Sequence, residues 1–494
     1  MKVFNTLLTI IVLTNAPGTL TFAQDNDRPN VLFIAIDDLN DWIGPLDGHP
    51  QTKTPNMDRI AAQGMVFSNA YAPGMTCNIS RTAIMTGIPP YSSGVYNNGT
   101  DWRKTQHLQD IPTIPRYFMD NGYRSVGAGK MFHASTFNEW AYFGYNDTDA
   151  WHAYFPSLDR QLPNKVTPHT RPANGIPAGE GIFRGIGQHF DWAAVSSTDM
   201  AMADGQVVTW SVEQMLSPGN QPRFNAVGIY RPHLPWYLPQ KYFDMHPLED
   251  IALPEVLEND IDDLPGASQY PLDSVMSPTG LHAWVLEDET GDRWRQGVQA
   301  YLASISFADA MVGHVLDALD QSGRADNTII VLWSDHGWHL GEKSRWRKTT
   351  LWRESTRVPL IVVAPGVTQA GSETAETVSL MDLYPTLVEL AGLEMPEHVQ
   401  GNSLLPLLED PTRTWDQPAI STNGFRNHAV STNRYRYLRY ADGSEELYDL
   451  QRDQNEWHNL AGDVQFSSAQ AYLAEMLPEH DEPIDESANR DGLQ

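Results

Sequence analysis

Cysteine is almost absent from this chain of 494 residues, which contains only Cys77. A single cysteine excludes a disulfide within the chain, so the fold must be stable without the cross-links that many exported proteins carry. No internal repeat or low-complexity segment is present, which argues against a solenoid or a disordered linker. The chain is long enough, and at 41% hydrophobic residues apolar enough, to bury a large core.

Basic residues are also scarce, with 33 Lys and Arg against 62 Asp and Glu and a net charge of -29. Nucleic acids and anionic membrane surfaces attract basic proteins, so we expect neither as a partner of this chain. An acidic protein that binds an anionic substrate must gather its few cationic groups in one place. Local clusters of Lys, Arg, His and metal ligands are therefore the informative features.

Long hydrophobic runs are missing except near the N-terminus. Residues 1–23 begin with Lys2, continue through the apolar run Leu7–Leu13 and end in small residues at Ala23, which is the pattern of a signal peptide. The apolar run is much shorter than the ~20 residues that span a bilayer. We therefore expect an exported protein, periplasmic or extracellular, with no membrane attachment after signal cleavage.

Apolar segments that end in polar residues recur along the chain. Residues 31–36 form a continuous apolar run that is typical of a strand buried on both faces, and Asp37-Asp38 follow it directly. Further strands are predicted at 123–126, 224–230, 328–333 and 358–364, and helices at 55–63, 112–121, 199–216, 293–320 and 379–391. This alternation predicts an α/β fold with a large mixed, mostly parallel sheet sandwiched by helices.

Beyond about residue 410 the pattern changes to short alternating segments separated by Asn-Arg and Asp-Gly turns. We predict strands at 429–432, 435–440 and 446–450 and a last helix near 466–477. The predicted organisation is a signal peptide at 1–23, a catalytic α/β domain at 24–410, and a smaller C-terminal α+β subdomain with an antiparallel sheet at 411–494.

Two acidic motifs follow predicted strands. Asp37-Asp38 end the first, and Asp335-His336 end the strand at 328–333. Carboxylates packed together at a buried strand end are costly without a cation. Ligands outside the carboxyl ends of parallel strands converge on one site, so the two motifs are expected to meet. Hard oxygen ligands favour Ca²⁺ or Mg²⁺ over zinc.

Cys77 begins the segment Cys77-Asn78-Ile79-Ser80-Arg81-Thr82-Ala83-Ile84-Met85-Thr86-Gly87, where a Pro-Gly loop turns into an apparent helix. This segment resembles the signature of the formylglycine-dependent sulfatases of the alkaline phosphatase superfamily, which is Cys-x-Pro-Ser-Arg followed by Thr-Gly. The resemblance covers nearly the whole mature chain. It is closest to the iduronate-2-sulfatase-like branch, through Gly129-Lys130-Met131-Phe132-His133, Arg231-Pro232-His233, Ser334-Asp335-His336-Gly337-Trp338, and Leu340-Gly341-Glu342 leading to Trp346 and Lys348.

The resemblance implies an alkaline phosphatase-like fold and a sulfuric ester hydrolase. A formylglycine-generating maturation enzyme would oxidise Cys77 to formylglycine, whose hydrate supplies a hydroxyl nucleophile. By the same resemblance, Ca²⁺, or less favourably Mg²⁺, is bound by Asp37, Asp38, Asp335, His336 and the modified Cys77. Arg81 would hold the formylglycine hydroxyl, and Lys130 and Lys348 would bind the sulfate oxygens. His133 would be the base that breaks down the sulfated intermediate, and His233 would be the acid that protonates the leaving alcohol.

The chain departs from the family pattern at two positions. Ile79 replaces the signature proline, and because maturing enzymes read that motif in the unfolded chain, the change bears on the oxidation of Cys77. Arg231 stands where close relatives carry lysine, which keeps the charge and changes the donor geometry.

The expected substrate is a sulfated polysaccharide or oligosaccharide, for example one with a 2-O-sulfated uronic acid. Candidate contacts to a sugar carboxylate are Arg103, His339, Arg345, Arg347 and Arg353, and Trp102 and Trp338 are candidates for stacking on a sugar or for burial. Two alternatives remain open. One is a phosphomonoesterase or phosphonate hydrolase of the same superfamily, and the other is an inactive relative that binds sulfated glycans.

Overall fold

The computed structural model describes residues 28–134, 144–157, 159–162, 166–177, 190–266 and 281–488. The predicted signal peptide lies outside these residues. The strands are β1 (Asn30–Asp37), β2 (Met65–Tyr71), β3 (Arg124–Gly129), β4 (Ala153–Phe155), β5 (Trp192–Val195), β6 (Arg223–Pro232), β7 (Trp236–Pro239), β8 (Thr328–Ser334), β9 (His339–Leu340), β10 (Trp346–Arg347), β11 (Arg357–Val358), β12 (Leu360–Val363), β13 (Ser372–Ser379), β14 (Ala419–Thr422), β15 (His428–Ser431), β16 (Tyr435–Arg439) and β17 (Glu445–Asp449).

The helices alternate with these strands over most of the chain. They are α1 (Pro55–Ala61), α2 (Cys77–Thr86), α3 (Pro90–Ser93), α4 (Ile114–Asp120), α5 (Ala203–Leu216), α6 (Gln240–Asp244), α7 (Ala283–Leu286), α8 (Asp292–Gln321), α9 (Arg353–Thr356), α10 (Leu383–Leu390), α11 (Leu405–Glu409) and α12 (Ser467–Ala474).

The main sheet is mixed and mostly parallel, as predicted. Its strand order is β11-β2-β12-β8-β1-β6-β3-β4, with β13 paired to β2. The strands β8, β1, β6, β3 and β4 run parallel to one another, whereas β12 runs antiparallel to both β8 and β2. The carboxyl ends of β3, β6, β1 and β8 therefore lie side by side along one edge.

Both faces of this sheet are covered, which explains the continuous apolar run of β1. Leu32, Ile34 and Ile36 point into a core shared with α1, α5 and α8. Their neighbours Val31, Phe33 and Ala35 point into a second core with α2, α4 and α10. A strand that alternates between two apolar layers cannot show the polar face of a half-exposed strand. The predicted sandwich of helices around a buried sheet is confirmed.

The helix α8 is long and apolar enough to cross a membrane by length and composition, but 83% of its most apolar window is buried inside the protein. It is therefore the central core helix. Its observed bounds differ by one residue at each end from the predicted 293–320. The helix expected at 199–216 begins as an α-helix only at Ala203, because Met202 has an extended backbone with φ -71° and ψ 159°.

A second sheet near the C-terminus is antiparallel, with the order β14-β15-β16-β17. One face contributes Ala429, Leu438 and Tyr448 to the second core, the one that contains Phe33 of β1. The other face packs against α12. The two sheets are also joined directly, because Ser421 Oγ donates a hydrogen bond of 2.6 Å to the carbonyl of Ala72, just after β2. This contact brings the C-terminal sheet close to the start of α2 and Cys77.

Candidate active site

Four parallel strands deliver polar residues to one edge of the main sheet. Asp37 ends β1, Lys130 follows β3, His233 follows β6, and Asp335 follows β8. The register of β1 against β6 shifts between Ile36 and Asp37, so the strand bends where the site begins. The predicted convergence of the acidic motifs at the carboxyl ends of parallel strands is seen in the structure.

The carboxylates of Asp37, Asp38 and Asp335 are fully buried together with His336. Asp38 has a left-handed backbone with φ 61°, and its amide donates a hydrogen bond of 3.1 Å to Asp335 Oδ1. His336 Nε2 lies 3.3 Å from Asp38 Oδ1 and 3.6 Å from Asp335 Oδ2. His336 Nδ1 lies 3.1 Å from the carbonyl of Gly337, a contact that leaves Nε2 to face the carboxylates.

The burial of these groups perturbs their ionisation. Burial raises the pKa of Asp37 well above its ordinary value, although Lys130 opposes the effect. Burial also acts to raise the pKa of Asp38, but His233 and Lys348 outweigh it and the pKa is lowered. For Asp335, the guanidinium of Arg81 overcomes burial and holds the pKa below its usual range. Such opposed shifts are typical of functional sites.

Cys77 is the first residue of α2, and its Sγ points into the same cluster. The sulfur lies 3.1 Å from Lys348 Nζ, 3.4 Å from Lys130 Nζ and 3.4 Å from His336 Nε2. Burial would raise the pKa of the thiol, but the two lysines and His336 lower it well below its ordinary value. The Pro-Gly loop before the helix packs closely, since a Cβ on Gly74 would lie 2.4 Å from Ile79 Cγ2.

Arg81 links the two acidic motifs to the rest of the site. Its fully buried guanidinium donates to Asp335 Oδ2 at 2.8 Å, to Asp37 Oδ1 at 3.1 Å and to the carbonyl of Met131 at 3.3 Å. It also donates to the carbonyl of Lys130. A planar donor fork is needed to reach two carboxylates and two carbonyls at once, which Lys could not do.

Lys130 and Lys348 are buried and reach the cluster from distant parts of the sequence. Lys130 Nζ donates to Asp37 Oδ2 at 2.6 Å, and Lys348 Nζ donates to Asp38 Oδ1 at 2.6 Å. Lys130 is placed by Gly129, whose φ of +75° favours glycine and where a Cβ would lie 1.9 Å from the carbonyl of Gly228. The two ammonium groups therefore flank Cys77.

The two predicted catalytic histidines lie beside the cluster with different surroundings. His133 is close to Cys77, and burial lowers its pKa while the thiol acts to raise it. His233 Nε2 lies 3.9 Å from Asp38 Oδ2, and its side chain is 30% exposed, which leaves it open to a substrate. Burial lowers the pKa of His233, so it is neutral until a nearby anion stabilises its protonated form.

For Trp102 and Trp338 the sequence left stacking on a sugar and burial both open, and the structure shows burial. Trp102 is 4% exposed, stacks on Phe132 and donates through Nε1 to the carbonyl of Tyr145 at 2.7 Å. Trp338 is fully buried and stacks on Tyr301. Large aromatic rings bury so much apolar area that packing competes strongly with any role at the surface.

The candidate cationic contacts to a sugar carboxylate are mostly engaged elsewhere. Arg103 pairs with Asp101 through two contacts of 2.7 and 2.9 Å, and His339 Nε2 lies 2.7 Å from Thr350 Oγ1. Arg353 Nη1 donates to the carbonyl of Gln454. Arg347 lies over the ring of Trp338 at 5.8 Å. Arg345 is 2% exposed and lies over the ring of Trp352 at 5.5 Å. Substrate contact by any of these residues stays a prediction.

Several supporting residues were not foreseen from the sequence. Tyr301 Oη in α8 donates to the carbonyl of Asp38 at 2.8 Å and accepts from the amide of Asn40 at 2.9 Å. Ser334 Oγ accepts from the amide of Leu39 at 3.0 Å and donates to the carbonyl of His336. Ser334 is the first residue of a motif noted in the sequence and could have been given a role, whereas no local pattern marks Tyr301.

The segment that carries Lys348 is held by the C-terminal sheet. Lys343, Ser344, Arg347 and Thr349 all have positive φ, between 52° and 81°, although none is glycine. Asn423 Nδ2 donates a hydrogen bond of 2.8 Å to the carbonyl of Thr349, the residue after Lys348. Such strain persists only where the surroundings enforce it. The small sheet therefore supports the position of Lys348.

Two family models match the chain. One described as "Sulfatase" covers residues 29–393, and one described as "N-sulphoglucosamine sulphohydrolase, C-terminal" covers residues 341–482. Among curated relatives, a sulfatase of Formosa agariphila is 37% identical over 473 residues, which are 94% of this chain and 89% of that protein. The iduronate 2-sulfatase of Homo sapiens is 31% identical, over 91% of this chain and 94% of that protein.

Solved structures with the same fold extend the comparison. The phosphonate monoester hydrolase of Agrobacterium radiobacter aligns with a TM-score of 0.72 at 21% identity, over 91% of this chain and 94% of the other. A protein solved in complex with its substrate D-glucosamine-2-N,6-O-disulfate aligns with a TM-score of 0.69 at 21% identity, over 91% and 97% of the two chains. Likeness at this level of identity establishes the fold alone.

Proposed function

Because the chain belongs to the sulfatase family and is a sulfuric ester hydrolase, we propose a specific chemistry for it. It removes sulfate from a sulfated carbohydrate through a formylglycine made from Cys77 and a bound Ca²⁺. The observation that carries the proposal is the position of Cys77 Sγ, within 3.4 Å of both Lys130 Nζ and Lys348 Nζ. The names of relatives support a sugar substrate, among them a Δ4,5-hexuronate-2-O-sulfatase of Bacteroides thetaiotaomicron at 26% identity.

The donor set fits a hard divalent cation. Asp38 Oδ2 is buried and accepts no hydrogen bond from the described residues, and a buried carboxylate oxygen without a donor is costly unless a cation lies beside it. Asp37, Asp38, Asp335 and His336, with the matured residue 77, would hold Ca²⁺. The ion supplies charge stabilisation for sulfate oxygens and for a developing alkoxide. Mg²⁺ is the less favoured choice.

The charges of the site suit a sulfate ester. Three buried carboxylates are matched by three buried basic side chains: Asp37, Asp38, Asp335, Arg81, Lys130 and Lys348. A divalent cation added to this balanced cluster leaves it net positive, which attracts an anionic ester into a site of low dielectric constant. An overall charge of -29 makes this local excess of positive charge necessary.

The side chains divide the work by position. Lys130 and Lys348 orient the sulfate oxygens as point charges on either side of residue 77, whose aldehyde hydrate supplies the nucleophilic hydroxyl. Arg81 holds residue 77 against the acidic motifs. His233, the more exposed histidine, donates a proton to the leaving alcohol once the bound anion has raised its pKa, and His133 removes the proton that allows sulfate to leave.

We also propose that the protein is exported, because residues 1–23 have the composition of a signal peptide. A maturation enzyme must act on Cys77 before or during folding, since the thiol is 1% exposed in the folded chain. Ile79 is then read in place of the proline of the signature, so the fraction of Cys77 that is oxidised in the native host is the quantity to measure.

A paired assay tests the proposal. The mature protein from its native host is given sulfate and phosphate esters of the same alcohols, including 2-O-sulfated uronic acid and 6-O-sulfated N-acetylglucosamine. We expect release of sulfate, which Cys77→Ala abolishes and which Thr76→Ser, beside it, retains. Faster release of phosphate would favour the phosphonate or phosphate hydrolase alternative. Saturable binding without turnover by protein with an unmodified thiol would favour the inactive glycan-binding alternative.

A further inference from the structure

A cavity of about 780 Å³ lies between Tyr96 and Asn97 on one side and the loops that follow β14 and β16 of the C-terminal sheet on the other. Its volume falls within the range of roughly 300 to 1,000 Å³ that is usual for ligand sites. The residues that shape it and matter here are Tyr96, Asn97, Thr349, Asn423, Phe425 and Asp442. None of these residues has a role in the chemistry proposed above.

The cavity adjoins the sulfate pocket through direct neighbours of two catalytic groups. Thr349 follows Lys348, whose Nζ lies 3.1 Å from Cys77 Sγ. On the other wall, the carbonyl of Asn97 accepts a hydrogen bond of 2.9 Å from the side chain of Asn78, which follows Cys77. The cavity is therefore lined by Thr349, the residue after Lys348, and by Asn97, which is hydrogen-bonded to the residue after Cys77.

The lining has the chemistry of a sugar site. The rings of Tyr96 and Phe425 meet edge to face with centroids 5.9 Å apart, and Phe425 is only partly buried. Asn97 Nδ2 donates no hydrogen bond to the described residues, and Asn423 Oδ1 accepts none from them, although both side chains are anchored by their other atoms. An aromatic surface with one free donor and one free acceptor can pack on a pyranose ring and bind its hydroxyls.

The charge of the cavity distinguishes it from the sulfate pocket. Among the described residues that line it there is no Lys, Arg or His, and Asp442 is the one charged residue. Asp442 Oδ1 accepts from both the amide and the hydroxyl of Ser444, at 2.9 and 2.7 Å, which stabilises the carboxylate in place. Arg426, whose guanidinium lies 4.9 Å over the Phe425 ring, is not among the lining residues, so a second sulfate or a carboxylate inside the cavity would face Asp442 rather than a cation.

We propose that this cavity is a subsite for an uncharged pyranose ring linked to the sulfated sugar, so that the preferred substrate is an oligosaccharide in which an unsulfated neutral sugar neighbours the sulfated one. The inference rests on the proposed sulfated-carbohydrate function and names its substrate more closely. Phe425 is the specificity-determining residue, because it is the exposed part of the aromatic wall.

The test compares matched substrates and one variant. Two sulfated monosaccharides, 2-O-sulfated iduronic acid and 6-O-sulfated N-acetylglucosamine, are each compared with the disaccharide in which the same ring is linked to an unsulfated neutral sugar. The kcat/KM is expected to be roughly tenfold higher for at least one disaccharide than for its monosaccharide, since stacking and one or two hydrogen bonds supply that factor. Phe425→Ala should remove most of this advantage and leave the monosaccharide rate unchanged.

The control is Tyr472→Ala, which removes an aromatic ring that is 62% exposed on α12, away from the cavity. It should leave both ratios as in the wild type. Equal kcat/KM for each disaccharide and its monosaccharide, or a disaccharide advantage that Phe425→Ala leaves intact, would overturn the proposal. A higher rate when the neighbouring sugar carries its own sulfate would also overturn it.

Binding to the Cys77→Ala variant separates failure of the subsite from failure of the sulfatase function. If the wild type releases no sulfate from any substrate, the proposed function fails. The subsite is then judged by the affinity of each disaccharide relative to its monosaccharide, measured by calorimetry with and without Phe425→Ala. Equal affinities would refute it independently of turnover.

Discussion

The ion pair between Arg436 and Glu456 offers a quantitative test of how the C-terminal sheet supports the segment that carries Lys348. Both side chains are fully buried, and Arg436 Nε lies 2.7 Å from Glu456 Oε1, at an angle outside that of a hydrogen bond. Glu456 Oε2 accepts from the amide of Arg353 at 2.8 Å, while Arg436 donates to Thr356 Oγ1 at 2.7 Å and to the carbonyl of Leu351. The pair thus holds the end of the segment that carries Lys348.

Glu456→Gln keeps the shape of the side chain and its bond to Arg353 but leaves the Arg436 guanidinium buried without a counter-charge. Removing one partner of a buried pair costs about 3 to 5 kcal/mol, whereas an exposed pair contributes about 1 kcal/mol or less. We expect the free energy of unfolding, measured by urea denaturation with fluorescence and circular dichroism, to fall by about the larger amount. The double variant Glu456→Gln with Arg436→Met should recover much of the loss.

The matched control is Glu213→Gln, since Glu213 pairs with Arg160 on the surface with side chains 51% and 43% exposed. Its effect should stay below about 1 kcal/mol. The reasoning that a desolvated charge dominates here would be refuted if Glu456→Gln lowered the free energy of unfolding only as much as the control Glu213→Gln does. A double variant that is less stable than both single variants would refute it too.

Three further predictions concern the site and the core. Arg81→Lys should lose nearly all sulfate release measured with a sulfate ester, because one ammonium group cannot replace contacts to Asp37 and Asp335; near wild-type kcat would contradict this. EDTA should abolish release and lower the Tm, with Ca²⁺ restoring both and Mg²⁺ doing so less well; a Tm unaffected by EDTA and Ca²⁺ would argue against a bound ion. Burial raises the pKa of Asp382 to about 7. The folded state therefore keeps a proton that the unfolded state releases from about pH 4 upwards. The free energy of unfolding that this group contributes falls as the pH rises towards 7 and then levels off. Asp382→Asn should therefore gain stability relative to the wild type between pH 5 and pH 8 in urea unfolding, and a constant difference would contradict the shift.

The parts of the structure that followed from the sequence are those with a local signal. The apolar run of β1 ending in Asp37-Asp38 predicted a strand buried on two faces with acidic side chains gathered at its end, and a parallel sheet brings Asp335 to the same edge. The strand β2 was not predicted, because only the three residues 62–64 separate it from α1 and its own residues alternate only weakly.

Other features depend on tertiary contacts that leave no local pattern. Tyr301 reaches Asp38 from a helix 263 residues further along the chain, and its spacing in α8 is that of any core residue. The left-handed residues around Lys348 are Lys, Ser, Arg and Thr, so no glycine or asparagine marked the strain. For Trp102 and Trp338 the sequence could not separate stacking on a sugar from burial, and the packing of the folded chain buries both rings.

Mass spectrometry of the tryptic peptide that ends at Arg81, combined with a sulfate-release assay on the same preparation, tests the central claim most directly. The account predicts that an aldehyde replaces the Cys77 thiol and that specific activity rises in proportion to the converted fraction. Full sulfate release by protein whose peptide carries only the unmodified thiol would contradict it.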